Sequence, residues 1–136
     1  LKLTSLFVIL LGLLVATGAH PATAVPANIL TDIVFWPLDG QQALDTEAAR
    51  MLAAISGGVM VGWGLMMWLV IDRLYLADPR LARLLLVEST LAWYLVDSTG
   101  SFVSGAIVNV LLNTALMLTI VVPAWRIGSR AAVVQP

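Results

Sequence analysis

The chain contains no cysteine and only one histidine, His20. Disulfides, thiol chemistry and metal centres built from clustered cysteines or histidines are therefore excluded within one chain. The sequence also lacks the G-x-x-x-x-G-K-[ST] phosphate loop. It shows no nucleophile paired with a base. We therefore expect no enzyme activity, no catalytic or cofactor-binding residue, no metal site and no cofactor.

Charged residues are scarce. They make up 11% of the 136 residues, whereas hydrophobic residues make up 60%, against about 25% and roughly 45–50% in soluble domains. A soluble domain of this size could not bury so much apolar surface, because much of a small fold stays in contact with water. The net charge of −1 gives no electrostatic basis for a nucleic-acid partner. The composition predicts one membrane domain, residues 1–136, with the lipid bilayer as its partner.

Long apolar runs organise the chain. They cover about residues 3–20, 49–71, 81–101 and 105–125. A helix needs about 20 residues to cross about 30 Å of hydrocarbon, and the runs lack the alternation of barrel strands. The sequence predicts an all-α integral membrane four-helix bundle with a short external amphipathic segment at residues 25–46.

The first run has two interpretations. Lys2, the apolar stretch and Ala22-Thr23-Ala24 resemble a secretory signal that is cleaved after Ala24, which removes residues 1–24. A retained spanning helix that ends before Pro21 fits equally simple rules. The first interpretation leaves three spans and the second leaves four.

Basic residues are unequally divided between the two ends of the predicted spans. Arg50 falls on one side, and six others fall on the opposite side: Lys2, Arg73, Arg80, Arg83, Arg126 and Arg130. Basic residues favour the cytoplasmic side of a membrane protein. We expect a multi-pass protein of the bacterial inner (cytoplasmic) membrane with both termini inside. An amphipathic helix around Ile29 and Ile33 would then lie on the outer leaflet.

A polar stripe marks the third run. Thr90, Asp97, Ser101 and Ser104 fall on one side of a helix, and ionisable groups inside a membrane usually face a bundle interior or a water-filled cavity. Arg50 is expected at the depth of Asp97. These five residues form a candidate polar pocket in which Arg50 and Asp97 form either a structural ion pair or a site that binds protons or a substrate.

Glu88 stands apart from this stripe. It precedes Asp97 by nine residues, which places it on the opposite face and about 13 Å away along a helix axis. The two carboxylates therefore cannot act on one substrate. We expect Glu88 to pair with Arg83 near the inner surface.

Two sets of residues are candidates for a helix-packing face. Ala54, Gly58 and Gly62 recur every four residues in the second run, and small residues let helix backbones approach closely. This face serves either packing inside the bundle or contact with a partner or a second copy. Asn109 and Asn113 share a face of the fourth run and can join helices through amide hydrogen bonds.

Four segments carry a resemblance to a known family. They are residues 35–40 (FWPLDG), 49–60 (ARMLAAISGGVM), 96–101 (VDSTGS) and 104–105 (SG). With its helical runs, the chain resembles small uncharacterised four-helix membrane proteins of proteobacteria, some of which are labelled as a component of excinuclease ABC. That label has no support here, because the chain has no phosphate loop, no zinc cysteines and no basic face.

The leading functional hypothesis is a non-enzymatic accessory or assembly subunit of a larger membrane complex, recruited through a membrane-protein partner or a homo-oligomer. The alternative is a small proton-coupled or solute carrier that uses the Arg50/Asp97 pocket. An accessory protein co-purifies with its partner in mild detergent. A carrier purifies alone and has a water-filled cavity that reaches Asp97.

Overall fold

The fold is all-helical over the part of the chain that the structure describes. The structure is a computed structural model, which describes the backbone of residues 1–133 and the side chains of residues 1–126. Five α-helices follow one another: α1 Lys2–Ala16, α2 Val25–Phe35, α3 Glu47–Leu69, α4 Pro79–Val103 and α5 Ile107–Val133. The predicted all-α class is confirmed. The count of five exceeds the predicted four because residues 25–35 form the separate helix α2.

Local chemistry sets several helix boundaries. The Thr46 hydroxyl accepts a hydrogen bond from the Ala49 N–H at the start of α3, and the Asp78 carboxylate accepts one from the Leu81 N–H at the start of α4. Both are N-caps of the usual kind, and Pro79 occupies the first helical turn, where its missing N–H is harmless. Gly105 has φ +83°, a conformation that glycine adopts readily, so the chain reverses there between α4 and α5.

Three helices are long and apolar enough to cross a membrane. These stretches are Lys2–Ala19, Glu47–Leu74, which includes a π-helical turn after α3, and Ile107–Arg126. Helix α4 is not among them, and it carries Glu88 and Asp97 within its apolar run. Three of the four predicted spans thus meet the criteria of length and composition.

The long helices alternate in direction, which gives the molecule two ends. One end, termed the loop end, carries residues 17–46 and the reversal at Gly105. The other, termed the Leu1 end, carries Leu1 and the connection between α3 and α4. Five of the basic residues lie toward the Leu1 end: Lys2, Arg73, Arg80, Arg83 and Arg126. The side chain of Arg130 lies outside the described residues.

Helices α1 and α3 pack backbone against backbone through glycines. A Cβ added to Gly57 would lie 2.6 Å from the backbone nitrogen of Ala16, and one added to Gly64 would lie 2.9 Å from the carbonyl oxygen of Ser5. Only glycine permits this approach, which maximises van der Waals contact. Gly12 contributes the matching position on α1.

The predicted packing face of α3 is therefore displaced by one residue. Gly58 and Gly62 have no atom within 4 Å of an added Cβ, and Ala54 is exposed. One residue corresponds to a rotation of about 100° around a helix axis, so the face formed by Gly57 and Gly64 meets α1 while the neighbouring face points outward. The assignment of Ala54, Gly58 and Gly62 to packing inside the chain is wrong.

Helix α4 packs along α5, and the two helix pairs meet in an apolar core nearer the Leu1 end. The buried side chains of that core come from α3, α4 and α5: Met67, Leu86, Val87, Ile120 and Ala124. Trp63 of α3 and Trp93 of α4 contact each other with ring centroids 5.1 Å apart. Close glycine packing within one pair and bulky aromatic packing between pairs explain why α3 is nearer to α1 than to α4.

Candidate polar site at the reversal between α4 and α5

Asp97 is the centre of a hydrogen-bonded network that joins α4 to α5. Its Oδ1 atom accepts hydrogen bonds from Asn113 Nδ2 at 2.7 Å, from Asn109 Nδ2 at 3.0 Å and from Ser101 Oγ at 3.1 Å. Asn109 Nδ2 also lies 2.8 Å from Ser101 Oγ. Ser101 and Asn113 are buried, and Asp97 is half-buried. One carboxylate oxygen thus collects three neutral donors.

The arrangement follows from helix geometry and the position of the reversal. Asp97 and Ser101 are one turn apart on α4, and Asn109 and Asn113 are one turn apart on α5, so each pair shares a face. The helices run antiparallel from Gly105, which places the two pairs at matching distances from the turn. A second contact, between Tyr94 Oη and Thr114 Oγ1 at 3.1 Å, continues the polar seam toward the middle of the pair.

The other members of the predicted stripe have different environments. The Ser104 hydroxyl is exposed and donates to the carbonyl oxygen of Ser101 at 3.0 Å, so it closes the end of α4. The Thr90 hydroxyl is fully buried and has no hydrogen-bond partner within the described structure. Thr90 lies two helical turns from Asp97. The structure therefore gathers Asp97, Ser101 and the two asparagines, and it leaves Thr90 and Ser104 outside the network.

The predicted ion pair between Arg50 and Asp97 does not form. Arg50 Nε donates to the carbonyl oxygen of Leu44 at 3.0 Å, and neither residue takes part in an ion pair among the described residues. The reason is helix pairing: α3 lies against α1, whereas α4 lies against α5. An equal depth in the sequence-based topology did not place the two side chains on adjoining faces. Arg50 is therefore not part of the polar site.

Arg50 belongs instead to a second polar arrangement, which was not predicted from the sequence. Asp32 of α2 is 5% exposed, and its carboxylate accepts the Gly40 N–H at 2.9 Å and the Gln42 N–H at 3.4 Å. One turn earlier, Asn28 Oδ1 accepts the Leu44 N–H at 3.0 Å. These side chains hold the loop of residues 36–46 against α2. Their four-residue spacing on α2 was the signal available in the sequence.

The polar site offers binding groups and no catalytic machinery. Asp97 Oδ2 has no hydrogen-bond partner in the part of the chain that the structure describes, and the carboxylate faces only neutral side chains there. No group of three or more His, Cys, Asp or Glu residues that could hold a metal occurs among the described residues. Chemically, the site can link two helices, and it can take up a proton on Asp97.

Comparison with known proteins returns no relative: no protein-family model, no curated protein and no solved structure matches the chain. The resemblance to small proteobacterial four-helix membrane proteins therefore stays a prediction.

Proposed function

We propose that the protein is a multi-pass protein of the bacterial inner membrane with four spans, both termini inside, and that it serves as a non-enzymatic accessory or assembly subunit of a larger membrane complex. Three of the spans are the long apolar helices. Helix α4 is the fourth, because the hydrogen bonds made by Asp97 and Tyr94 tie it along the length of α5. If α5 crosses the bilayer, α4 crosses beside it.

Two features support this placement. The basic side chains collect toward the Leu1 end, as the positive-inside rule requires of a cytoplasmic end. At the loop end, α2 turns its polar residues Asn28 and Asp32 toward its own loop and exposes the apolar side chains of Val25, Ile29 and Trp36. An apolar exposed face on a short helix suits the interface between lipid headgroups and acyl chains.

The observation that carries the proposed role in a complex is the empty space beside Gly58 and Gly62. Both glycines lack any neighbour within 4 Å of an added Cβ, so α3 presents an open surface on which another helix backbone could approach closely. Lipid tails fill such a surface less well than a packed helix does. We propose that this exposed α3 face, formed by Ala54, Gly58 and Gly62, contacts a membrane-protein partner or a second copy of the chain.

The second candidate is a small proton-coupled or solute carrier centred on Asp97. It is favoured by a half-buried carboxylate that has neutral hydrogen-bond donors and no basic partner among the described residues. Such a carboxylate in a membrane is usually functional. Arg50 no longer contributes to this alternative, because it binds the Leu44 carbonyl group.

Affinity purification from native membranes in mild detergent tests the proposed function. The wild-type chain is expected to recover a stoichiometric partner, or to run as an oligomer, and Gly58→Leu is expected to lose it. Gly100→Leu is the matched control, because Gly100 on α4 also has open space around it. A monomer that purifies without a partner, and that moves protons or a solute across vesicle membranes through Asp97, would replace the proposed function with the carrier.

A further inference from the structure

Glu88 projects from the outer face of α4, opposite the core. Its side chain is exposed, whereas Val87 and Thr90 on either side are buried. Its surroundings on that face are apolar, with exposed leucines one turn before and one or two turns after it: Leu84, Leu85, Leu91 and Leu95. A single carboxylate therefore interrupts a continuous leucine surface, termed here the Glu88 face.

Nothing in the described part of the chain neutralises this carboxylate. Glu88 forms no hydrogen bond or ion pair there. The predicted pairing with Arg83 is wrong, because the Arg83 guanidinium lies over the Trp125 ring, 5.4 Å from its centroid. Arg83 and Glu88 are five residues apart, which separates their directions by about 140° around the helix axis. The basic residue nearest in sequence is thus engaged on another side of α4.

The depth of Glu88 makes the exposure significant under the proposed membrane location. The adjacent residue Val87 shares the apolar core with Ile120 of α5. Ile120 precedes Arg126, the end of the apolar stretch of α5, by six residues or about 9 Å along the helix. Glu88 therefore lies within the hydrocarbon region and on a surface that the chain itself leaves uncovered. A carboxylate facing lipid at that depth is unfavourable unless it is paired.

We propose that the Glu88 face is a docking surface for a membrane-spanning helix of another protein, and that this helix places a basic side chain opposite Glu88. Charge complementarity determines the choice of partner. A second copy packed on the same face would bring two carboxylates together, and the basic residues of this chain lie toward helix ends or on other faces. The inference rests on the proposed function and adds the chemistry of the partner; it concerns α4 and not the exposed α3 face.

The test uses a synthetic single-span leucine helix with one arginine in its inner half, and the same helix without the arginine. The full-length chain and each helix are labelled, and their association is measured by energy transfer in phosphatidylcholine vesicles. The wild type is expected to bind the arginine helix about 5- to 30-fold more tightly than the all-leucine helix, the range typical of an interhelical polar contact. Glu88→Leu is expected to remove this preference while leaving the helical content and thermal stability of the chain unchanged.

A relocated carboxylate provides the control. Met66 is exposed on α3, next to the core residue Met67, so the double variant Glu88→Leu with Met66→Glu moves the charge to another outward position at similar depth. That variant is expected to bind the arginine helix no better than Glu88→Leu does. Equal binding by the relocated carboxylate, or equal binding of both synthetic helices by the wild type, would overturn the docking surface.

The synthetic helix also separates this inference from the proposed function. If the wild type prefers the arginine helix yet purifies from native membranes without a partner, the proposed function fails and the Glu88 face stands. If a native partner is recovered but the arginine preference is missing, the proposed function stands and the Glu88 face fails.

Discussion

Gly12 of α1 and Gly57 of α3 face each other so closely that a Cβ on Gly57 would lie 2.6 Å from the Gly12 carbonyl oxygen, and a Cβ on Gly12 would lie 2.8 Å from the Gly57 carbonyl oxygen. Each glycine therefore accommodates the backbone of the other. The contact is between main chains, which cannot move aside as the end of a flexible side chain can. It fixes the distance between the first and third helices.

The first prediction compares neighbouring glycines. Gly57→Val is expected to lower the thermal stability of the detergent-solubilised protein by about 1–3 kcal/mol or more, because it forces α1 and α3 apart. Gly58→Val, one position along, is expected to leave the stability of the isolated chain within about 0.5 kcal/mol, because open space surrounds it. Equal losses in the two variants would contradict the packing described for α1 and α3.

A second prediction concerns the network around Asp97. Asp97→Ala and Asn113→Ala are each expected to destabilise the protein by about 0.6–1.7 kcal/mol, and the double variant is expected to fall short of the sum. The shortfall arises because both single changes break the same hydrogen bond. Reversible unfolding in mixed micelles gives the three free energies. A strictly additive result would show that the two residues do not interact.

The third prediction uses Arg50 with the same measurement. Arg50→Ala combined with Asp97→Ala is expected to be additive within about 0.3–0.5 kcal/mol, because Arg50 binds the Leu44 carbonyl oxygen while Asp97 binds the amides of α5. Strong coupling between these two positions would restore the ion pair that the structure lacks.

A fourth prediction concerns the loop of residues 36–46. Asp32→Ala removes the acceptor for two backbone N–H groups, and it is expected to speed amide hydrogen exchange at Gly40 and Gln42 by about 10-fold or more, consistent with a loss of about 1–3 kcal/mol. Asp45→Ala is the control, because Asp45 is exposed and holds no backbone group. Unchanged exchange in Asp32→Ala would mean that the loop is held by other contacts.

The fifth prediction concerns orientation. Since the chain has no cysteine, single cysteines at Asp39 and Ala77 can be labelled without background. An impermeant thiol reagent added outside intact cells is expected to label Asp39→Cys, and Ala77→Cys only after the membrane is opened, because the basic residues lie at the end that carries Ala77. Labelling of both from outside would disprove the proposed topology.

The helices themselves could be predicted because their signals are local. Apolar runs and capping residues such as Thr46 and Asp78 lie within the segment that they define, and the predicted run at residues 49–71 overlaps α3, Glu47–Leu69. The packing register could not be predicted in the same way. Gly57 and Gly58 belong to small-residue series with similar spacing, and only the position of α1 determines which one is covered.

The polar site was predicted in two separate halves. Asp97 and Ser101 were recognised as a stripe, and Asn109 and Asn113 as a helix-joining pair, but the two halves were not assigned to each other. Their nearly equal distances from Gly105 were a usable signal, because a tight reversal aligns residues that are equally far from it. The partner of Arg50 had no such signal: depth along a helix axis does not reveal which helix stands beside which.

The hydrogen bonds from α5 to Asp97 have a consequence for the order of biosynthesis. Under the proposed topology, α4 emerges from the ribosome before Asn109 and Asn113 exist, so its carboxylate at position 97 has no interhelical donor at that stage. Helix α4 is also not among the helices apolar enough to cross alone. Its stable entry into the bilayer must wait for α5, and the two helices become a single unit of insertion that a stop codon within residues 104–113 would leave half-built.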